Sequence, residues 1–273
     1  MKLTLRHNSI ALALAAIALF AGTTCAASEK DSLSIAINGF ESSVGMWLPA
    51  AVSKPAMQSK AATIKPATQS RPAMQSKAAT IKPATQSKPA PSVYLWFHGG
   101  MTSGNCAKGL IAGADFAELY PEAIVISTSA CKANHWWTAT TAPIADAALD
   151  SLEKRVGATI KEVSLVGVSD GGMGIFAYSL YGKRSIKSRL FISANGSLLG
   201  PAAAIAKEPK LHTGKYRFLQ GGADRLYSPA ETVPWVESFC KAVQVDCELK
   251  YDPQGEHDWS YWKENRLDWV LHP

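Results

Sequence analysis

The segment Gly167-Val168-Ser169-Asp170-Gly171 constrains the fold more than any other stretch of the chain. It joins the apolar run 163–168 to a series of small residues beginning at Gly171. Such a junction reads as a buried strand that ends in a sharp turn and passes directly into a helix, lifting one serine hydroxyl above the sheet. Glycines flank the serine because a strained strand-to-helix turn leaves no room for a Cβ on either side. The geometry suits a nucleophile: an exposed Oγ, space for a base, and a helix N-terminus that favours developing negative charge. A pattern this short arises by chance in about one chain in ten of this length, so the rest of the sequence must supply partners for the serine.

The surrounding sequence supplies both a sheet and those partners. Residues 32–40 and 43–48 read as two strands joined by a short polar turn, an antiparallel edge. Further on, apolar runs at 93–97, 123–127, 163–168, 190–194, 216–220 and 248–251 alternate with helical patterns at 109–119, 144–156, 172–180 and 229–243. Ser228 and Pro229 stand where a cap and first turn belong. Alternation of this kind predicts an α/β fold, a mostly parallel sheet with helices on both faces and an active site at the carboxyl ends of its strands. Ser169 follows the third of the six runs, Asp224 the fifth and His257 the sixth. In that arrangement His257 would take the Ser169 proton and return it to a leaving group, while Asp224 would orient the imidazole and stabilise its charged form. The glycines of His98-Gly99-Gly100-Met101, after the first run, would let backbone N–H groups face a reacting carbonyl oxygen. Gly100 and Met101 are the loop donors, and the N–H of Asp170 is the second contribution. His98 reads as a structural histidine at a strand end.

Together, His98-Gly99-Gly100, Gly167 to Gly172, the Asp224 loop and His257-Asp258-Trp259-Ser260-Tyr261-Trp262 resemble the α/β-hydrolase superfamily over roughly residues 91–270. The double glycine after the serine and the His-Asp-Trp-x-Tyr-Trp ending are similar to secreted esterases of the feruloyl and acetylxylan esterase and polyhydroxybutyrate depolymerase type. The resemblance implies an α/β-hydrolase fold and cleavage of a small or polymeric carboxylic ester through an acyl-enzyme, with no cofactor. Two alternatives stay open: a serine peptidase or amidase of the same fold, and a non-catalytic cell-surface binding protein. Peptidases of the prolyl-oligopeptidase kind usually carry a large gating domain, and a binding protein would be expected to have lost a triad member. Trp136 and Trp137 read either as an aromatic wall for the substrate or as packing beneath a loop. Asp258 is too close in sequence to His257 to serve as its acid, and Asp146 and Asp150 read as a solvated helix face. Trp259 and Trp262 would anchor the histidine loop.

The remaining segments read as export and insertion. Lys2 and Arg6 precede the apolar run 10–21 and small residues follow, so residues 1–27 read as a secretory signal peptide cleaved after Ala26 or Ala27. The run is too short for a stable membrane span. Lipidation at Cys25 is the rival reading, with Thr24 an unusual residue before such a cysteine. Residues 28–53 would be the first strands of the hydrolase domain and 91–273 its main part. Between them, residues 54–70 are repeated at 71–87 with one change, Lys54 to Arg71, and a third copy breaks off at Ala90. An aromatic-free repeat rich in Pro, Ala, Thr, Gln, Ser and Lys is expected to be disordered, and at most weakly attracted to anionic surfaces.

That insert also explains the formal charge of +6. Seven basic residues and no acid lie between residues 54 and 90, and two more basic residues lie in the first 27, so the rest is mildly acidic. Nucleic acid is therefore not an expected partner. Past the signal, Cys106, Cys131, Cys240 and Cys247 allow three pairings. The favoured one joins Cys106 to Cys131, tying two loops at the active end of the sheet, and Cys240 to Cys247 across a helix-to-strand turn; four free thiols are the alternative. No closely spaced His or Cys ligands point to a metal.

Overall fold

A computed structural model describes residues 29–53 and 91–272; the expected signal peptide and repeat insert lie outside them. Strands β1 (Glu29–Ile37) and β2 (Phe40–Leu48) form a hairpin. Its turn is Asn38-Gly39, both residues at positive φ (52° and 79°), not the polar residues 41–42 that the sequence reading placed between the strands. Two positive φ values in a two-residue turn match the right-handed twist of the strands, and Asn-Gly adopts them at least cost. After β2 and the short α1 (Ala50–Ser53) come β3 (Val93–Phe97), α2 (Gly109–Ala112), α3 (Ala114–Leu119) and β4 (Ile124–Thr128). The single helix read over 109–119 is therefore two, divided at Gly113. The chain continues through α4 (Thr141–Val156), β5 (Glu162–Val168), α5 (Gly171–Tyr181), β6 (Ser185–Ile192), α6 (Ala202–Ile205), β7 (Lys215–Gly221) and α7 (Pro229–Val243). It closes with β8 (Cys247–Asp252), α8 (Trp259–Asn265) and α9 (Leu267–Leu271).

The eight strands run in the order β1-β2-β4-β3-β5-β6-β7-β8. β1 and β2 are antiparallel to their neighbours, and β3 to β8 are all parallel. The sheet's alternation feeds two cores. On one face Leu95, Phe97, Leu165, Phe191 and Phe218 pack against α4, α5 and α7; on the other Trp96, Val166, Leu190, Ile192 and Leu219 meet residues of α3, α8 and α9. Burial on both faces accounts for the near-continuous apolar runs of β3 to β7. In the strand order, β4 lies to one side of β3 and β5 to the other, so the chain changes winding direction at β3. Loops leaving β3 and β5 diverge there, opening a crevice at the carboxyl ends of the strands.

Candidate active site

Val168 ends β5 and Gly171 begins α5, so two residues turn the chain. Ser169 occupies that turn at φ 52°, in the left-handed region that costs a non-glycine residue energy. Its neighbours show why the strain is held. A Cβ on Gly167 would stand 2.6 Å from the Gly171 backbone, and one on Gly99 would stand 3.0 Å from the Ser169 Cβ. The Ser169 N–H donates to Ile192 O of β6 at 3.0 Å, which pins the turn to the sheet.

The Ser169 hydroxyl donates to His257 Nε2 at 2.8 Å. On the other side of the ring, His257 Nδ1–H faces both oxygens of Asp224, at 3.0 and 2.9 Å. Asp224 Oδ1 also accepts the backbone N–H groups of Leu226 (2.9 Å) and Tyr227 (2.8 Å). Burial would raise the Asp224 carboxyl; the bonds from His257 and these backbone donors outweigh it and hold the group below its usual range. The carboxylate therefore stays charged beside the imidazole. His257 is held in turn by the loop around it: Glu256 O accepts the Trp262 indole N–H and the Ser193 hydroxyl, at 3.0 and 3.2 Å. Trp262 and Trp259 both belong to α8, and Asp258 caps that helix by accepting the Ser260 N–H at 3.3 Å rather than reaching the imidazole.

The loop after β3 faces this arrangement. Gly100 lies at φ 68°, with Lys108 Nζ donating to its carbonyl at 3.1 Å. The Met101 N–H, offered by the sequence as an oxyanion donor, instead donates to Asp170 Oδ2 at 3.1 Å. Gly100 and the N–H of Asp170 remain the donors of interest. His98 is buried; Ala130 N–H donates to its Nε2 at 3.0 Å, which leaves Nδ1–H to donate to Gly99 O at 2.9 Å. Burial pushes its pKa down to about 4, so the neutral ring is a brace between two loops.

The two tryptophans separate. Trp136 is only 2 % exposed, packs edge-on against Phe97 and donates its indole N–H to His98 O at 2.9 Å. It is core beneath the loop, not a wall of the cleft. Trp137 is exposed and faces Tyr181 at the far end of α5, where both line a groove with Pro143 and Ala177. A helix rises about 1.5 Å per residue, so ten residues of α5 set Tyr181 roughly 15 Å beyond the helix start that follows Ser169. Trp137 thus stands against the C-terminal part of α5. Asp146 also departs from expectation: it is buried, accepting Tyr178 OH at 2.9 Å and the Lys183 N–H at 3.2 Å, and it staples α4 to α5. Asp150, by contrast, is half exposed and pairs with Arg184 at 2.5 Å.

Among the described residues two disulfides are present, Cys106–Cys131 and Cys240–Cys247. The first ties the loop after β3 to the loop after β4, and the second joins α7 to β8. Among the described residues no group of His, Cys, Asp and Glu could hold a metal ion, and no helix is long and apolar enough to cross a membrane.

No family model and no curated protein matches the sequence. Solved structures do match. One is a PEG-bound cold-adapted esterase from an Arctic intertidal metagenomic library, 16 % identical, with 90 % of this chain and 93 % of that one covered at a TM-score of 0.56. The S-formylglutathione hydrolase of Staphylococcus aureus is 13 % identical, with 90 % and 97 % covered at 0.54. A predicted CIB-like hydrolase from Thermoplasma acidophilum is 11 % identical, with 89 % and 95 % covered at 0.51. At these identities the likeness is one of architecture. The parallel sheet, its switch at β3 and the strand-turn-helix at Ser169 agree with it: the chain has the α/β-hydrolase fold.

Proposed function

We propose that this protein is a serine hydrolase that cleaves carboxylic esters through an acyl-enzyme. One observation carries the reading: the unbroken line from Ser169 Oγ through His257 to Asp224, with hydrogen bonds of 2.8 and 2.9 Å. In the first step His257 Nε2 takes the Ser169 proton as Oγ attacks the ester carbonyl. Asp224 holds Nδ1–H and favours the imidazolium that forms. The tetrahedral oxyanion would lie against the N–H groups of Asp170 and Gly100, with the N-terminus of α5 adding its dipole. Collapse expels the alcohol, which takes the proton from His257; a water then repeats the sequence and releases the acid.

The choice of esters rests on the sequence resemblance, and the esterase fold neighbours support it. Export to the periplasm or beyond rests on the N-terminal signal pattern, supported by the two disulfides, which persist in oxidising compartments. Ser169→Ala tests the assignment. The variant should fold as the wild type does, lose labelling by a fluorophosphonate probe, and lower turnover of a short-chain aryl ester by about 10⁴ to 10⁶. Wild-type hydrolysis in that variant would overturn it.

A further inference from the structure

The loop that carries Asp224 brings another residue into the centre. The Tyr227 backbone N–H donates to Asp224 Oδ1 at 2.8 Å, and its ring stands edge-on to the His257 imidazole, with centroids 5.3 Å apart. Its hydroxyl donates to Asp170 Oδ1 at 3.1 Å. The other oxygen of the same carboxylate accepts the Met101 N–H, also at 3.1 Å. Asp170 directly follows Ser169. A single carboxylate therefore fastens three segments: the turn bearing the nucleophile, the loop after β3, and the loop bearing the acid.

The groups around this position call for an aspartate. A backbone N–H and a phenol both arrive as donors, and the carboxylate meets each with an acceptor. An ionised carboxylate offers two oxygens and no proton, whereas an asparagine amide offers one oxygen and one NH₂. In an Asp170→Asn variant the amide oxygen would keep the Met101 N–H while its NH₂ faces the Tyr227 oxygen, which must then accept and turn its own proton away from residue 170. The phenol itself stays protonated, because burial, followed by the charge of Asp170, raises its pKa; the Ser169 hydroxyl acts on it in the opposite sense. That proton is directed at Asp170. Ser169 already donates its own proton to His257, so its lone pairs stay available.

We propose that Asp170 and Tyr227 are a pair of positioning residues: the Asp170 carboxylate locks Met101 and Tyr227 in place, fixing the oxyanion loop and the edge of the His257 ring relative to Ser169. The proposal rests on the hydrolase reading above. Because the pair sets the geometry of reacting groups, its loss lowers kcat and leaves KM nearly unchanged. Misplacement of such groups by a fraction of an ångström costs on the order of tenfold in rate. The two bonds share one carboxylate, so their losses do not multiply.

The test uses full-length protein carrying Tyr227→Phe, Asp170→Asn or both. It reads kcat and KM on a short-chain aryl ester, the rate constant for fluorophosphonate labelling of Ser169, and the thermal midpoint. Tyr227→Phe should lower kcat and the labelling rate by about tenfold with KM within about twofold. Asp170→Asn should lower them by about ten- to a hundredfold, with the double variant within about threefold of Asp170→Asn alone. Wild-type kcat and labelling rate in Tyr227→Phe, or effects that multiply in the double variant, would overturn the pair alone. A wild-type chain that neither labels nor hydrolyses overturns the hydrolase reading and the pair with it. Should Asp170→Asn fail to fold, Tyr227→Phe decides the matter through its labelling rate, since it removes one oxygen from a loop otherwise untouched.

Discussion

A Cβ on Gly171 would collide with the carbonyl oxygen of Phe97. The first residue of α5 thus lies against the last residue of β3, and that contact sets the Ser169 turn beside the loop that begins at His98. Because the obstacle is backbone on both sides, no rotamer change relieves it. Gly171→Ala should destabilise the fold by about 3 kcal/mol or more. Gly39 provides the contrast. Unlike Gly171 it sits at positive φ, but nothing lies within 4 Å of its would-be Cβ, so Gly39→Ala should lose only about 1 kcal/mol of backbone preference. Urea denaturation of the two variants measures the difference, and equal losses would show that the close approach is not what constrains residue 171.

Asp224→Asn should leave the fold intact and remove most of the activity. The amide fits the same space, and its oxygen can still accept from Leu226 and Tyr227, but it then presents NH₂ to His257 Nδ1. A neutral imidazole answers by moving its proton to Nε2, where it no longer accepts from Ser169. A loss in kcat of about 10⁴ is expected, with KM little changed. Steady-state kinetics on the aryl ester, paired with a thermal melt, reads both quantities, and a tenfold loss or less would mean that Asp224 does not set the tautomer.

Stability should fall with acidity through His98. Its folded pKa of about 4 lies below the 6.5 of a free imidazole, chiefly because of burial; the Gly99 carbonyl opposes the shift, the Lys108 charge adds to it, and Asp170 opposes it. Between those two values the unfolded chain binds the proton and the folded chain does not. The contribution is therefore complete above pH 6.5 and is lost as pH falls toward 4, by about 3 kcal/mol in all. His98→Gln keeps an acceptor for Ala130 N–H and cannot titrate. Its denaturation free energy should change less between pH 6.5 and pH 4 than that of the wild type; parallel curves would place the acid sensitivity elsewhere.

The parallel part of the fold is legible in the sequence because burial writes most of its strands as short apolar blocks, and five of the six runs read there begin within two residues of the observed strands, although β8 alternates polar and apolar residues and is mostly half-buried. β6 is the exception: its first half, Ser185 to Ser188, alternates exposed and half-buried residues and carries no apolar run. Asn38-Gly39 is the stronger hairpin signal, and the polar residues 41–42 belong to β2, where Ser42 is buried and donates to Ser129 O. Ser169, Asp224 and His257 can be found because strand ends and chain order leave them few rivals. Trp136, Asp146 and Tyr227 cannot be placed that way. A tryptophan beside a strand end, an aspartate on a helix and a tyrosine in a loop have the same local sequence whether they face water or one another. Only the pairing of α4 with α5, and of the Asp224 loop with Asp170, distinguishes the cases. The nearest hint to Tyr227 is its spacing from Asp224, three residues on, which allows its N–H to return to that carboxylate as an Asx-type turn.

The disulfides should differ in what their loss does to the site. By loop length alone, Cys106–Cys131, 25 residues apart, restrains the unfolded chain by about 3.5 kcal/mol, and Cys240–Cys247, 7 apart, by about 2.4 kcal/mol. Stability changes of similar size are thus expected from the two double Cys→Ser variants. Their positions are unlike, however. Cys106 follows the loop of Gly100 and Met101, and the same loop is tied to the Cys131 segment by Lys132 N–H donating to Ser103 O at 2.8 Å. Cys240 and Cys247 brace α7 against the edge strand β8, away from that loop. Removing Cys106 and Cys131 should therefore lower kcat by about tenfold at temperatures where the variant remains folded, since the loop after β3, which the proposed mechanism uses for the oxyanion, loses its covalent tether. Removing Cys240 and Cys247 should leave kcat within about twofold. Kinetics at one common temperature, about 15 °C below the lowest thermal midpoint, separates the two effects, and equal kcat values would mean that the hydrogen bonds of Asp170 and Lys132 hold the loop without the bridge.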